Sequence, residues 1–111
     1  MFQVSREGAI DIVSGKEPLN EEYADALERI LKPCLSGGQP KMVFNLQEVP
    51  LIDSRGLEAL LDAHEMALQR GGQFLLAAPN ALCQDILIAT GLDRKMQVFD
   101  DLISAVGSFT I

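Results

Sequence analysis

The chain reads as an α/β protein on three observations. Short apolar runs with no helical period alternate with amphipathic stretches that carry helix-cap signals. Two of those runs, MVFNL (residues 42–46) and FLLAA (residues 74–78), lack the alternation of a half-exposed strand and read as strands buried inside a sheet. No internal repeat or low-complexity segment interrupts this order, so one layered domain over residues 1–111 is expected.

The elements follow in chain order. FQVS with Val4 and AIDIVS with Ile10 and Ile12 flank Arg6-Glu7-Gly8, the signature of a hairpin. After Ser14-Gly15 comes the polar loop KEPLN. Asn20 caps the helix EEYADALERILK, whose early glutamates suit the positive end of the helix dipole. Tyr23, Leu27, Ile30 and Leu31 share one of its faces, and Pro33 is expected to end it. Ser36-Gly37-Gly38 and Pro40 form a loop before the strand KMVFNL, and QEVP is a turn. LIDSRG then leads into a helix from about Leu57 to Arg70, closed by Gly71-Gly72. The strand QFLLAA follows. Pro79-Asn80 opens a helix to about Thr90, which Gly91 ends. Val98-Phe99 is a short last strand, and Asp100 or Asp101 caps a final helix containing Leu102, Ile103 and Val106.

The helix after Ser54 divides into three strips at 100° per residue. Leu57, Leu60, Leu61, His64, Ala67 and Leu68 form an apolar stripe expected to pack on the sheet. Glu58, Asp62, Glu65 and Gln69 form a solvated acidic face. Ala59, Ala63 and Met66 form a small apolar strip, expected to be exposed or partly covered. Such a strip suits a docking partner, and it equally suits a helix that favours alanine.

Bulk properties narrow the function. Sixteen acidic against nine basic residues give a net charge of −7, a surface that repels phosphate backbones and disfavours direct nucleic-acid binding. No apolar run is long enough to span a bilayer and no signal-peptide pattern opens the chain. Cys34 and Cys83 lie outside any C-x-x-C pattern and read as free thiols, so a cytoplasmic location is expected. Small size and high charge favour a monomer.

Catalytic and cofactor readings fare poorly. A nucleophilic Ser54 needs a base, yet the single histidine, His64, lies within an apolar stripe, and the Ile52-Asp53-Ser54-Arg55-Gly56 segment lacks the first glycine of a nucleophile elbow. His64, Cys34, Cys83 and the carboxylates show no metal-ligand spacing. Gly37-Gly38 and Gly71-Gly72 match no phosphate-binding loop. No cofactor is expected. Asp53 or Ser54 as the N-cap of the following helix accounts for both residue types.

The longer run KMVFNLQEVPLIDSRGLEALL, with its helix closing in Gly-Gly before QFLLAA, resembles the STAS family. It is most similar to the small single-domain members, the anti-sigma factor antagonists. The downstream APNALCQDILIATGLDRKMQVFDDLISAV fits the same pattern. The resemblance covers residues 41–107 well and the N-terminal third more loosely. It implies a mixed sheet of about four to five strands with four helices, mainly on one face. It implies that Ser54, within Asp53-Ser54-Arg55-Gly56, is the serine phosphorylated by a kinase that is itself an anti-sigma factor. The unphosphorylated antagonist binds that kinase and frees the sigma factor, phosphorylation ends the binding, and a phosphatase restores it. Such a protein is a substrate and binding switch and not an enzyme.

The loop holding Gly15, Glu17 and Asn20 matches the family's second contact region. With Glu58, Ala59, Asp62, Ala63 and Met66 on the helix, it makes up the expected partner surface. Two features depart from the pattern: Arg55 stands where many antagonists have a second serine, and KEPLN is longer than the usual acidic turn. Arg55 either pairs with the phosphate and blunts the switch or serves as a specificity contact. The alternative within the family is a non-switching STAS module of a transporter or signalling scaffold, in which Ser54 is only a cap.

Overall fold

Central strands buried on both faces organise the sheet. In the computed structural model, which describes residues 1–109, five strands lie side by side in chain order: β1 (Gln3–Glu7), β2 (Ile10–Ser14), β3 (Lys41–Asn45), β4 (Gln73–Ala77) and β5 (Val98–Phe99). β1 runs antiparallel to β2 as a hairpin, with Val4 opposite Val13. The pairs β2–β3, β3–β4 and β4–β5 are parallel, and Val43 stands between Ile12 and Leu75. The sheet is therefore mixed, as expected. β1 is an edge strand exposed along its whole length, and Arg6 and Glu7 blunt that edge.

Each central strand feeds two cores because successive side chains point to opposite faces. Val13, Met42, Phe44, Phe74 and Leu76 face one core, closed by Leu27, Leu31 and Leu35 of α1 (Glu21–Leu35), by Leu60 and Ala67 of α2 (Ser54–Gln69), and by Cys83 and Leu87 of α3 (Ala81–Ala89). Ile10, Ile12, Val43, Leu75 and Ala77 face the other, covered by Leu102, Ala105 and Val106 of α4 (Leu102–Gly107). Three helices thus share one face and the short α4 takes the other. Strands apolar on every position, as in MVF and FLLA, are what this double coverage demands.

Three expectations need correction. α1 does not stop at Pro33 but runs through it to Leu35, which is buried. The proline falls in the last turn, where it removes one backbone donor, and the core contacts of Leu35 hold the turn in place. α2 begins at Ser54, three residues before Leu57, because Asp53 caps it. The buried face of α2 is also rotated from the one predicted. Gly56, Ala59, Leu60, Ala63 and Ala67 are buried, Leu57, Leu61 and His64 are half-buried, and Leu68 is exposed. Ala59 and Ala63 are not an open strip; α1 packs against that side of α2, and small side chains permit the close approach.

Candidate functional site

Ser54 lies where three loops meet at the C-terminal ends of the parallel strands. The loop after β2 is tied to the loop after β3 by a single parallel bridge between Leu19 and Ile52. The Leu19 amide donates to the Leu51 carbonyl at 3.0 Å, and the Asp53 amide donates to the Leu19 carbonyl at 2.9 Å. The third loop joins through Asn80, whose side-chain amide donates to the Val49 carbonyl at 3.0 Å while its oxygen accepts from the Cys83 amide at 2.7 Å and caps α3. The segments expected to carry partner contacts are therefore adjacent in space, although more than thirty residues of chain separate them.

The four residues of the Asp-Ser-Arg-Gly corner divide the local work. Asp53 is the N-cap of α2, and its carboxylate accepts from the Gly56 amide at 3.0 Å. Ser54 is the first helical residue and is exposed, and among the described residues no hydrogen bond engages its hydroxyl. Gly56 is fixed by contact: a Cβ there would lie 2.1 Å from the Leu19 carbonyl oxygen. The glycine thus lets α2 start directly against the neighbouring loop.

Arg55 points away from the corner. Its guanidinium donates to Glu28 of α1, lies 3.3 Å from Asp25 of α1, and lies 3.6 Å from Glu58 one turn along α2. The hydrogen bond to Glu28, with the neighbouring carboxylates, raises its already high pKa, so the cation is permanent.

The remaining expected contact residues fall into three groups. Glu58 and Asp62 are exposed and Met66 is half-buried, as a contact surface requires. Gly15, Ala59 and Ala63 are buried: the Phe2 ring covers Gly15, and the two alanines floor a groove of about 340 Å³ between α1 and α2. These three shape the surface from below. Glu17 is half-buried and accepts from the Met1 amine, a bond that holds its carboxyl below the ordinary value. Asn20 caps α1, accepting from the Tyr23 amide at 3.2 Å.

Sequence reasoning missed two exposed apolar residues carried by the segments that converge at the corner. Leu51, three residues before Ser54, is 39% exposed, and Leu82, in the first turn of α3, is 53% exposed. Each reads in the sequence as one more core leucine. Among the described residues no cluster of histidine, cysteine and carboxylate side chains is arranged to hold a metal. Cys34 and Cys83 are free, and burial pushes both thiols up. No helix of the described residues is long and apolar enough to cross a membrane.

A capped serine at the start of a helix, set on a β-hairpin and three parallel strands, defines a class. The chain belongs to the STAS domain family, whose model matches residues 2–105. Within it, the chain is similar to a Thermotoga neapolitana protein bearing the name "Putative anti-sigma factor antagonist TM1081 homolog", with 29% identity over 101 residues, 90% of this chain and 88% of the relative. A Thermotoga maritima crystal structure of a protein described as a "putative anti-sigma factor antagonist" superposes with a TM-score of 0.90 at 26% identity, covering 96% of this chain and 92% of that one. The anti-sigma factor antagonist SpoIIAA in its unphosphorylated form shares the fold, with a TM-score of 0.80 at 15% identity, 97% of this chain and 95% of that one being covered.

Proposed function

We propose that this protein is an anti-sigma factor antagonist that works as a phosphorylation-controlled binding switch. In this reading a single domain of residues 1–111 acts as a cytoplasmic monomer without enzymatic activity. The unphosphorylated form binds an anti-sigma factor that is also a serine kinase, and the sigma factor is released. The kinase transfers the γ-phosphoryl group of a nucleoside triphosphate to the Ser54 oxygen, the bond to the departing nucleoside diphosphate breaks, the hydroxyl proton is released, and the complex dissociates. A phosphoprotein phosphatase restores the starting form.

The observation that carries the reading is the idle hydroxyl of Ser54. Asp53 satisfies the cap, so the serine stands exposed at the helix start with nothing structural to do. A phosphate there carries about −1.5 to −2 charges at neutral pH. The free amides of the first helical turn and the helix dipole accommodate an anion, so the fold is not harmed. The cost falls on the docked surface, where the dianion meets Asp53 and loses its water. Each 1.4 kcal/mol or so is tenfold in affinity, and a few kcal/mol release the partner. The exposed Leu51, three residues before the serine, supplies apolar contact, and Glu58 and Asp62 supply a charged flank.

The test is intact mass of the protein purified from its native cells, with Ser54→Ala as control. One added phosphate that disappears in the variant is the expected result. Absence of phosphate under every growth condition would overturn the switch and leave a fixed STAS module in which Ser54 is one residue of a helix start.

A further inference from the structure

Arg55 immediately follows the proposed phosphoacceptor, and a guanidinium is the side chain best matched to a phosphate. The structure directs it elsewhere. Nη2 donates to Glu28 and also meets Asp25, both on α1, while Nη1 faces Glu58. The side chain is 28% exposed, and Nη1 is buried with no hydrogen-bond partner among the described residues, Glu58 holding it by charge alone. Three carboxylates therefore surround one cation. Were Arg55 to swing onto a phosphate, Asp25, Glu28 and Glu58 would lose the guanidinium they share, with Arg29 and Lys32 of α1 the cations left beside Asp25 and Glu28, while the phosphate offers at most about two negative charges in exchange.

We propose that Arg55 is a positioning residue of the switch: Asp25, Glu28 and Glu58 hold its guanidinium against α1, so that a phosphate on Ser54 remains un-neutralised and presents its full charge to the partner. This rests on the reading of Ser54 as phosphoacceptor. The departure from a second serine at this position then leaves the signal undiminished, and the same contacts join the start of α2 to the middle of α1. A networked guanidinium gains more than an isolated surface pair, because one ordered side chain serves several partners.

The test needs neither kinase nor partner. Phosphoserine is installed at position 54 of the full chain by stop-codon suppression, and the second ionisation of the phosphate is followed by phosphorus NMR. The expected result is that wild type and Arg55→Ala titrate together. The triple variant Asp25→Asn, Glu28→Gln, Glu58→Gln, which frees the guanidinium, is expected to titrate lower by roughly 1 pH unit than the same triple variant carrying Arg55→Ala, which lacks the same three carboxylates and so isolates the guanidinium. A wild-type phosphate already titrating well below that of Arg55→Ala would overturn the proposal. So would a folded triple variant that titrates like its Arg55→Ala counterpart. If the triple variant does not fold, the comparison of wild type with Arg55→Ala and with Arg55→Gln, which keeps much of the stem, decides alone. Because the phosphoserine is incorporated during translation and no kinase acts on the chain, this result stands apart from whether a cellular kinase uses Ser54.

Discussion

Gly56→Ala is the most informative single change to the fold. At an ordinary helix position the new methyl would add about 1 kcal/mol of helix propensity. Here it would sit 2.1 Å from the Leu19 carbonyl oxygen and 2.7 Å from both the Leu19 carbonyl carbon and its Cβ. Leu19 is fully buried and cannot retreat while its amide and carbonyl hold Leu51 and Asp53. The loop must lift, and the two backbone bonds are strained or lost at about 1 kcal/mol each. Imperfect repacking around Leu19 adds about 1–2 kcal/mol. Set against the propensity gain, the net loss is about 2–3 kcal/mol. For a domain of this size that lowers the melting temperature by roughly 10–20 °C. Equilibrium urea unfolding followed by circular dichroism measures it, with the denaturant slope unchanged if the folded state stays intact. A neutral or stabilised Gly56→Ala would refute the claim that the helix start and the Leu19 loop are in hard contact.

Two further predictions bear on the same corner and on the far end of the chain. Asp53→Ala should cost about 1 kcal/mol in urea unfolding through loss of the cap, and Ser54→Ala should leave stability nearly unchanged; equal losses would show that the serine shares the capping. Asp101 caps α4 by accepting from the Ser104 amide at 2.7 Å, which holds its carboxyl below the ordinary value. Its contribution is complete above the unfolded carboxyl pKa and is lost as pH falls through the lower folded value, so Asp101→Asn should flatten the acid limb of the stability profile. An unchanged acid limb would refute that role.

What the sequence disclosed and what it hid separate along physical lines. Strands such as MVFNL and QFLLAA were legible because burial on both faces leaves no polar alternate position. Asn20, Asp53, Asn80 and Asp101 each cap a helix and each precedes an apolar period, a local signal needing no tertiary knowledge. The buried face of α2 is not legible from apolar bulk, because Ala59 and Ala63 are buried for their smallness. Pro33 misled because a proline's local cost was not set against the core contact of Leu35 two residues on. The destination of Arg55 was illegible for another reason. Asp25 and Glu28 lie on a different helix, about thirty residues away, and nothing in the spacing brings them together. At the site, the roles of Asp53 and Gly56 follow from local chemistry, whereas the exposed Leu51 and Leu82 become distinctive only once three loops converge.

Under the proposed function, the division of labour at this corner would let a modification of Ser54 signal without unfolding. Had Ser54 been the cap, a phosphate on its oxygen would have competed with the bond to the helix amide. Release of a partner would then have been mixed with fraying of α2. With Asp53 accepting from Gly56, and Gly56 holding the Leu19 loop close, the scaffold does not depend on the hydroxyl. Arg55 extends the same logic to charge, since a cation already surrounded by three carboxylates has little to gain from a fourth anion. A residue that changes state must be structurally idle, and its neighbours must be fully occupied. Asp53→Ala tests the principle directly: with the cap gone, Ser54 is the nearest replacement acceptor for the first-turn amides. Phosphorylation should then alter the stability of the Asp53→Ala chain while leaving that of wild type nearly constant. Equal responses in the two backgrounds would mean that the separation of cap from switch does no work.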